Sequence, residues 1–331
     1  MKSSFQYKLS KLCQTETSTP KYVQPKRNPL KDPLLSMKCE TNVILDFYVD
    51  IMDWNSRNEL AFSLTQMIYS ISTTGEFSLI YQAPTLNQYE AQLVITSVAF
   101  YNDNYVVFGD AFGVLRIVEI QTQKIVFEQE IHNDRINKIL VIDNLIVTAS
   151  KDGFVKVINP NQQEHIINNC LVKHDAEVCG MTVNSNNSYF ASGCNDGVVK
   201  VTDLRSQIQI HSHKHSAAVK AMTFSPSRNN ILLTGGGMCD RMIKMYNVDT
   251  HEYVKHHQTL SQISSLYWKD DYVIVSHGNP TNTLEIFDAD QFVTISHSNI
   301  HTENILYTKM NKNGNLATFD ENGMLNLWKL E

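Results

Sequence analysis

The chain lacks several features that would point to a membrane protein, a secreted protein or an enzyme. None of its apolar runs approaches the roughly 20 residues that a membrane-spanning helix requires, and its start does not read as a secretory signal. Its six cysteines (Cys13, Cys39, Cys170, Cys179, Cys194, Cys239) show no CxxC pairing and read as the reduced thiols of a cytosolic or nuclear protein. The triple glycine Gly235-Gly236-Gly237 is not a phosphate loop, since it lacks GxxxxGK[ST] and sits between two strands; it reads as a tight turn. With 12 histidines and 34 acidic residues, no Ser-His-Asp, Cys-His or paired-carboxylate spacing stands above chance. The chain reads as a binding protein with no catalytic residue and no cofactor.

What is present is a repeat. HDAEVCGMTVNSNNSYFASGCNDGVVKVTDLRSQIQIHSHK and HSAAVKAMTFSPSRNNILLTGGGMCDRMIKMYN follow one script: a His, a short apolar stretch, a polar turn, a second apolar stretch ending in small residues, a turn with Asp, and a third β-rich stretch. His132, His174 and His215 are spaced by 42 and 41 residues, and His301 lies 86 beyond, two periods of 43. Gly113, Gly153, Gly197 and Gly323 keep the same time, and Gly after Asp or Asn suits a hairpin turn needing positive φ. Short strands at a period near 40–45 residues predict an all-β WD-repeat propeller. Units fit residues 49–83 and 94–131, then start at His132, His174 and His215, with a sixth near Ser261–Ser298 and a last from His301. That makes a seven-bladed β-propeller over residues 39–331.

The last unit offers only three strands (ILYTKMN, NLATFD, MLNLWKL), and a three-stranded blade leaves an open edge. The apolar stretch Cys39–Leu45 (CETNVIL) is the natural fourth strand, so that the N-terminal end of the ring clasps the C-terminal end.

Charge divides the chain. Residues 1–38 hold eight Lys or Arg against Glu16 and Asp32, a balance of +6; the remaining 293 residues hold 20 basic and 32 acidic side chains, a balance of −12. The arm is broken by Pro20, Pro25, Pro29 and Pro33 and reads as disordered until bound. It is open to an acidic protein or an import receptor through PKRNPLK, with nucleic acid a weaker candidate, or it is a solvated tail. Phosphorylation at Thr19-Pro20 would lower its charge. The acidic ring favours basic peptides, because complementary charge raises encounter rates. His211, His213 and His215 alternate, which on a strand puts them on one face; no carboxylate or Cys lies at ligand spacing, so zinc is not the expected reading. Thr202-Asp203-Leu204-Arg205 lacks the Trp of a cullin-adaptor signature, and Asp240-Arg241 reads as a local charged pair.

Beyond the period, the strings DFYVDIMDW, HDAEVCGM, SGCNDG, HSAAVKAMTFSP, LLTGGGMCDRMIKMYN, SQISSLYW and VSHGNPTNTLEIFD stand in one order along residues 39–331. Together they resemble the Fizzy and Fizzy-related family of WD-repeat co-activators of the anaphase-promoting complex. The resemblance implies a degron-binding adaptor of that ubiquitin ligase, acting in cell-cycle control in the nucleus and cytoplasm. Its partners would be the complex and degron-bearing substrate proteins, with no membrane. In that family the propeller reads the Lys-Glu-Asn box on its top face and the destruction box between the first and last blades. Position by position, the resemblance assigns degron binding to Asp46 and Phe47 (DFY), Asn195 (the SGCND turn) and Gln262 (SQI). A carboxylate there accepts a Lys ammonium, and the amides pair with Glu and Asn side chains; equally, Asp and Asn at hairpin tips cap their own turns.

Departures accompany it. The Arg expected in the last blade falls at Asn304, and the Thr after the triple glycine is Met238. The acidic positions expected for a destruction-box Arg fall near Cys39 and near Asn322 and Gly323, with Asp320 and Glu321 close by as substitutes if the turn is shifted. Residues 1–45 show no match to the family's N-terminal docking box, and the last residues are Leu330-Glu331 where the family has Ile-Arg. The alternative reading is therefore a non-catalytic scaffold or paralogue that has lost ligase activation or degron reading.

Overall fold

Each repeat folds into strands whose burial follows their place in the ring. Second strands such as Leu145–Ser150 and Tyr189–Cys194 are almost wholly buried, because neighbouring blades cover both of their faces. Outer strands such as Lys124–Glu130 and Glu252–Gln258 alternate between half-buried and exposed. The computed structural model describes residues 30, 32–39, 43–84, 92–162 and 166–330. Its strands make seven four-stranded antiparallel sheets. Six are continuous in sequence, over residues 52–82, 95–130, 136–173, 178–214, 221–258 and 263–298, and are here blades 1 to 6.

Blade 7 contains Ile305–Met310, Asn315–Asp320 and Met324–Lys329, and its fourth strand comes from the other end of the chain. That strand is Leu35–Lys38, not the expected Cys39–Leu45. It pairs antiparallel with Met324–Lys329, Leu35 opposite Leu327 and Lys38 opposite Met324. The clasp is thus as expected but its strand lies earlier, inside the segment read as the arm. An outer strand needs only alternate apolar residues, which Leu35 and Met37 supply; both pack against the core shared by blades 1 and 7. Cys39 then takes the place that a His takes elsewhere: its N–H donates to the Gly323 carbonyl at 2.8 Å, as those of His132, His174 and His215 do to Gly113, Gly153 and Gly197. All four glycines have φ between +79° and +87°. Leu30 is buried between blades 6 and 7; Thr19, Pro20 and every residue of PKRNPLK except Leu30 lie outside the described residues.

Among the described residues the core is divided into seven apolar clusters, each lying between adjacent blades. A blade therefore buries its apolar faces only against its neighbours. Within blades the repeating histidines are structural. In blade 7, His301 Nδ1 meets Asp320 at 2.7 Å and Nε2 meets Thr318 at 2.7 Å, and the Trp328 indole donates to the same Thr318 hydroxyl at 2.9 Å. His132 repeats this with Asp152 and Thr148, and His215 with Asp240 and Thr234. Asp240 thus holds His215 rather than pairing with Arg241, whose guanidinium donates to the carbonyls of Met238 and Leu260. Asp203 caps its own turn through the N–H groups of Arg205 and Ser206.

Candidate functional site

From Val43 the chain lies inward of the rim. Val43 and Ile44 pack on the core of blades 1 and 7, and the Tyr307 hydroxyl donates to the carbonyls of Ile44 and, at 3.1 Å, Asp46. Asp46 Oδ1 accepts the Tyr48 N–H at 2.8 Å, closing an Asx turn. Its Oδ2 pairs with Arg135, at the entry to blade 3. Phe47 lies 5.2 Å from the Lys220 ammonium, at the entry to blade 5, a cation–π arrangement. The Tyr48 hydroxyl donates to Asn195 Oδ1, in a turn of blade 4, at 2.8 Å. Residues 44–48 therefore touch blades 3, 4, 5 and 7, which places them across one mouth of the central channel.

Arg135 organises that mouth. Its Nε and Nη2 reach Glu177 Oε1 at 3.1 and 2.5 Å, and Asn137 donates to the same oxygen at 3.0 Å. Despite desolvation, these bonds to Glu177 and Asp46 raise the Arg135 pKa further. The Glu177 carbonyl accepts the Asn195 N–H at 2.8 Å. The mouth thus offers carboxylates (Asp46, Glu177), a guanidinium and amide groups within one hydrogen-bonded network, able to meet a peptide carrying both charge signs.

Of the four residues singled out from sequence, Asp46, Phe47 and Asn195 are brought together, with Tyr48 as the link. Gln262 is almost fully buried at the entry to blade 6, at the same end of the channel. Its amide lies against Gly278, leaving no room there for a Cβ, and no hydrogen bond joins it to the other three among the described residues. Asp46 is already engaged by Arg135, so an incoming ammonium must compete with a guanidinium. Sequence reasoning missed Arg135, Glu177 and Tyr48. A signal existed: Arg135, Glu177 and Asn304 each stand three residues after a repeat His, so the His+3 position faces the mouth.

Around the last blade one of the two substitutes, Asp320, falls away. Asn304 accepts the Asn279 N–H, and its carbonyl accepts the Glu321 N–H at 3.0 Å. Asp320 is buried against His301 and also holds the N–H groups of Asn322 and Met324, so it has no carboxylate oxygen to offer a peptide. Burial pushes the Cys39 thiol up to about 11, so it carries no charge at neutral pH. On blade 4, the His213 ring stacks on Tyr246 at 3.7 Å while both nitrogens of His215 are occupied by Asp240 and Thr234. No group of three metal-ligating side chains stands close enough to hold an ion among the described residues.

A closed seven-bladed ring, with Asp46 of the N-terminal segment meeting Arg135 and Glu177 and Tyr48 meeting Asn195 at its mouth, defines a WD-repeat propeller. The chain belongs to the CDC20/Fizzy family: the model of the CDC20/Fizzy WD40 domain matches residues 41–328. It is similar to the "Anaphase-promoting complex subunit cdc20" of Dictyostelium discoideum, 28% identical over 300 residues, covering 87% of this chain and 58% of that one. It is likewise similar to the "APC/C activator protein CDC20" of Saccharomyces cerevisiae, 29% identical over 302 residues, covering 86% of this chain and 51% of that one. The chain thus spans a little over half the length of these relatives. A chain in the crystal structure of the mitotic checkpoint complex superimposes with a TM-score of 0.84 at 25% identity, over 95% of this chain and 97% of that one.

Proposed function

We propose that this protein recruits substrates to the anaphase-promoting complex, acting in cell-cycle control in the nucleus and cytoplasm by binding and not by catalysis. Membership of the CDC20/Fizzy family and relatives named as activators or subunits of that complex support this reading. The observation that carries it is the Asp46–Tyr48 segment laid over the channel mouth, where Asp46 meets Arg135 beside Glu177, Phe47 meets Lys220 and Tyr48 meets Asn195. A Lys-Glu-Asn motif suits this arrangement. Its ammonium would shift Arg135 from Asp46 or Glu177, its Glu would take the freed guanidinium, and its Asn would meet the amides of Asn195 and Gln262. Arg135 then supplies the positive charge that Asn304 does not.

A destruction box is the weaker fit, since Asp320 is committed to His301 and Cys39 is neutral. The scaffold reading draws on the same fact that complicates the first: Asp46 already has a cation. An array of Lys-Glu-Asn and destruction-box peptides separates the two. Binding to the first set that is lost in Asp46→Ala supports recruitment, and no binding to either set leaves the scaffold. Co-purification with the anaphase-promoting complex tests the ligase partnership independently.

A further inference from the structure

Beneath residues 44–48 the channel widens into a cavity of about 400 Å³. Its ionisable lining is one-sided for an acidic ring. Lys138, Lys220, Lys309 and Lys312 face a single carboxylate, Asp50, an excess of three positive charges; counting Asp53, which lies 3.3 Å from Lys309, leaves two. Asp50 is shared, 3.3 Å from Lys138 and 3.7 Å from Lys309. Lys220 is almost fully buried and has no carboxylate in contact; its ammonium donates to the Leu306 carbonyl at 3.0 Å and lies 4.9 Å from the Tyr307 ring. Burial and the nearby Lys138 lower its pKa to about 8, though Asp50 opposes this.

The hydroxyls of this cavity point to a ligand as well. Ser264 Oγ and Thr308 Oγ1 are buried in its wall with no hydrogen-bond partner. Buried polar atoms are ordinarily satisfied, so two orphaned hydroxyls beside uncompensated ammonium groups mark a place for an acceptor-rich anion. The size excludes a folded partner and suits a small solute. Access is from the end opposite Asp46: Lys312 is exposed in the turn that follows Ile305–Met310, at the far end of that strand from Asn304.

We propose that the channel binds a small polyphosphorylated solute, held by Lys138, Lys220 and Lys312 and by the hydroxyls of Ser264 and Thr308. This site lies below the peptide-reading mouth and shares one group with it, Lys220, whose ammonium also faces Phe47. An anion here neutralises ammonium groups that the ring otherwise leaves facing one another, so it stabilises the folded state in proportion to its occupancy.

Isothermal titration of the full chain at pH 7.5 tests this with pyrophosphate and inositol hexakisphosphate, against inorganic phosphate and against sodium chloride of matched ionic strength. The expected result is saturable binding of both polyphosphates, at least tenfold tighter than inorganic phosphate. Lys220→Met should weaken it at least tenfold, and Asp50→Asn should tighten it. Lys312→Gln, an exposed substitution that leaves the core untouched, should weaken it several-fold and keeps the test open if Lys220→Met does not fold. No binding beyond the chloride control overturns the proposal. So does equal affinity in the wild type, Asp50→Asn and Lys312→Gln, or saturable binding of a phosphoserine peptide with none of pyrophosphate.

Discussion

If Leu35–Lys38 closes the ring, its two faces must respond differently to mutation. Leu35 and Met37 are half-buried against the core of blades 1 and 7, whereas Ser36 and Lys38 point outward and are exposed. Full burial of a Leu or Met side chain contributes about 1.5–3 kcal/mol, so half-burial contributes roughly 1–1.5 kcal/mol for each. The double substitution Leu35→Ala, Met37→Ala should therefore cost about 2–3 kcal/mol, a large part of a typical domain's margin of 5–15 kcal/mol. Ser36→Ala, Lys38→Ala keeps the same backbone pairing and should stay within about 0.5 kcal/mol of wild type. Urea denaturation measures both, and limited proteolysis reports whether the N-terminal segment comes free before the other blades. Equal stability of the two double variants would refute the clasp as a packed strand.

Three further outcomes follow from the geometry. Arg135→Gln leaves Asp46 and Glu177 facing each other without their cation and should destabilise the fold by roughly 2 kcal/mol, less than a fully buried pair because all three are partly exposed; urea melts of Arg135→Gln and of Arg135→Gln, Asp46→Asn read it, the second recovering part of the loss. Gly153→Ala places a Cβ 2.7 Å from the His174 carbonyl at φ +86° and should cost clearly more than Gly75→Ala, which has φ +89° but open space and should lose only about 1 kcal/mol. Burial, reinforced by Lys200, holds His174 down at about 4 against about 6.5 in an unfolded chain. Below pH 6.5 the unfolded state thus takes up the proton first. Stability is full above pH 6.5 and falls, by up to about 1.4 kcal/mol per pH unit, as pH drops towards 4; the thermal midpoint of His174→Gln should fall less steeply over that window.

The sequence made the ring visible because its period is written in residues that fold locally. The spacing of His132, His174, His215 and His301 and of the turn glycines gave the blade count and the need for a closing strand. The strand itself was misplaced by a few residues for a physical reason. Leu35–Lys38 is an outer strand with one apolar face, and LSMK carries a weaker signal than CETNVIL. The latter's apolar residues, Val43 and Ile44, are used instead to seat the segment that crosses the channel mouth. Asp240 was misread because its turn is longer: it lies 25 residues after His215, where Asp152 and Asp320 lie 20 and 19 after their histidines. His174 has no carboxylate partner: Asp196 turns its Oδ1 to the Cys194 thiol and the Val198 N–H, and His174 Nδ1 is left unpaired.

The mouth was half legible. Asp46, Phe47 and Asn195 were reached through resemblance to the Fizzy strings, yet nothing in their local sequence shows that Arg135, 89 positions on, holds Asp46. Such a pairing depends on closing the ring. The channel lysines were not singled out: Lys138 stands six residues after His132 and Lys220 five after His215, so they occupy different places in the repeat and no periodic signal links them.

The most direct test of the account is where a short peptide touches this ring. A Lys-Glu-Asn peptide bearing a photoreactive group beside the motif, cross-linked to the full chain and mapped by mass spectrometry, should mark residues 43–48 together with the turns holding Asn195 and Gln262, and Asp46→Ala should abolish the marks. Cross-links confined to the outer strands of the blades, or unchanged in Asp46→Ala, would contradict it.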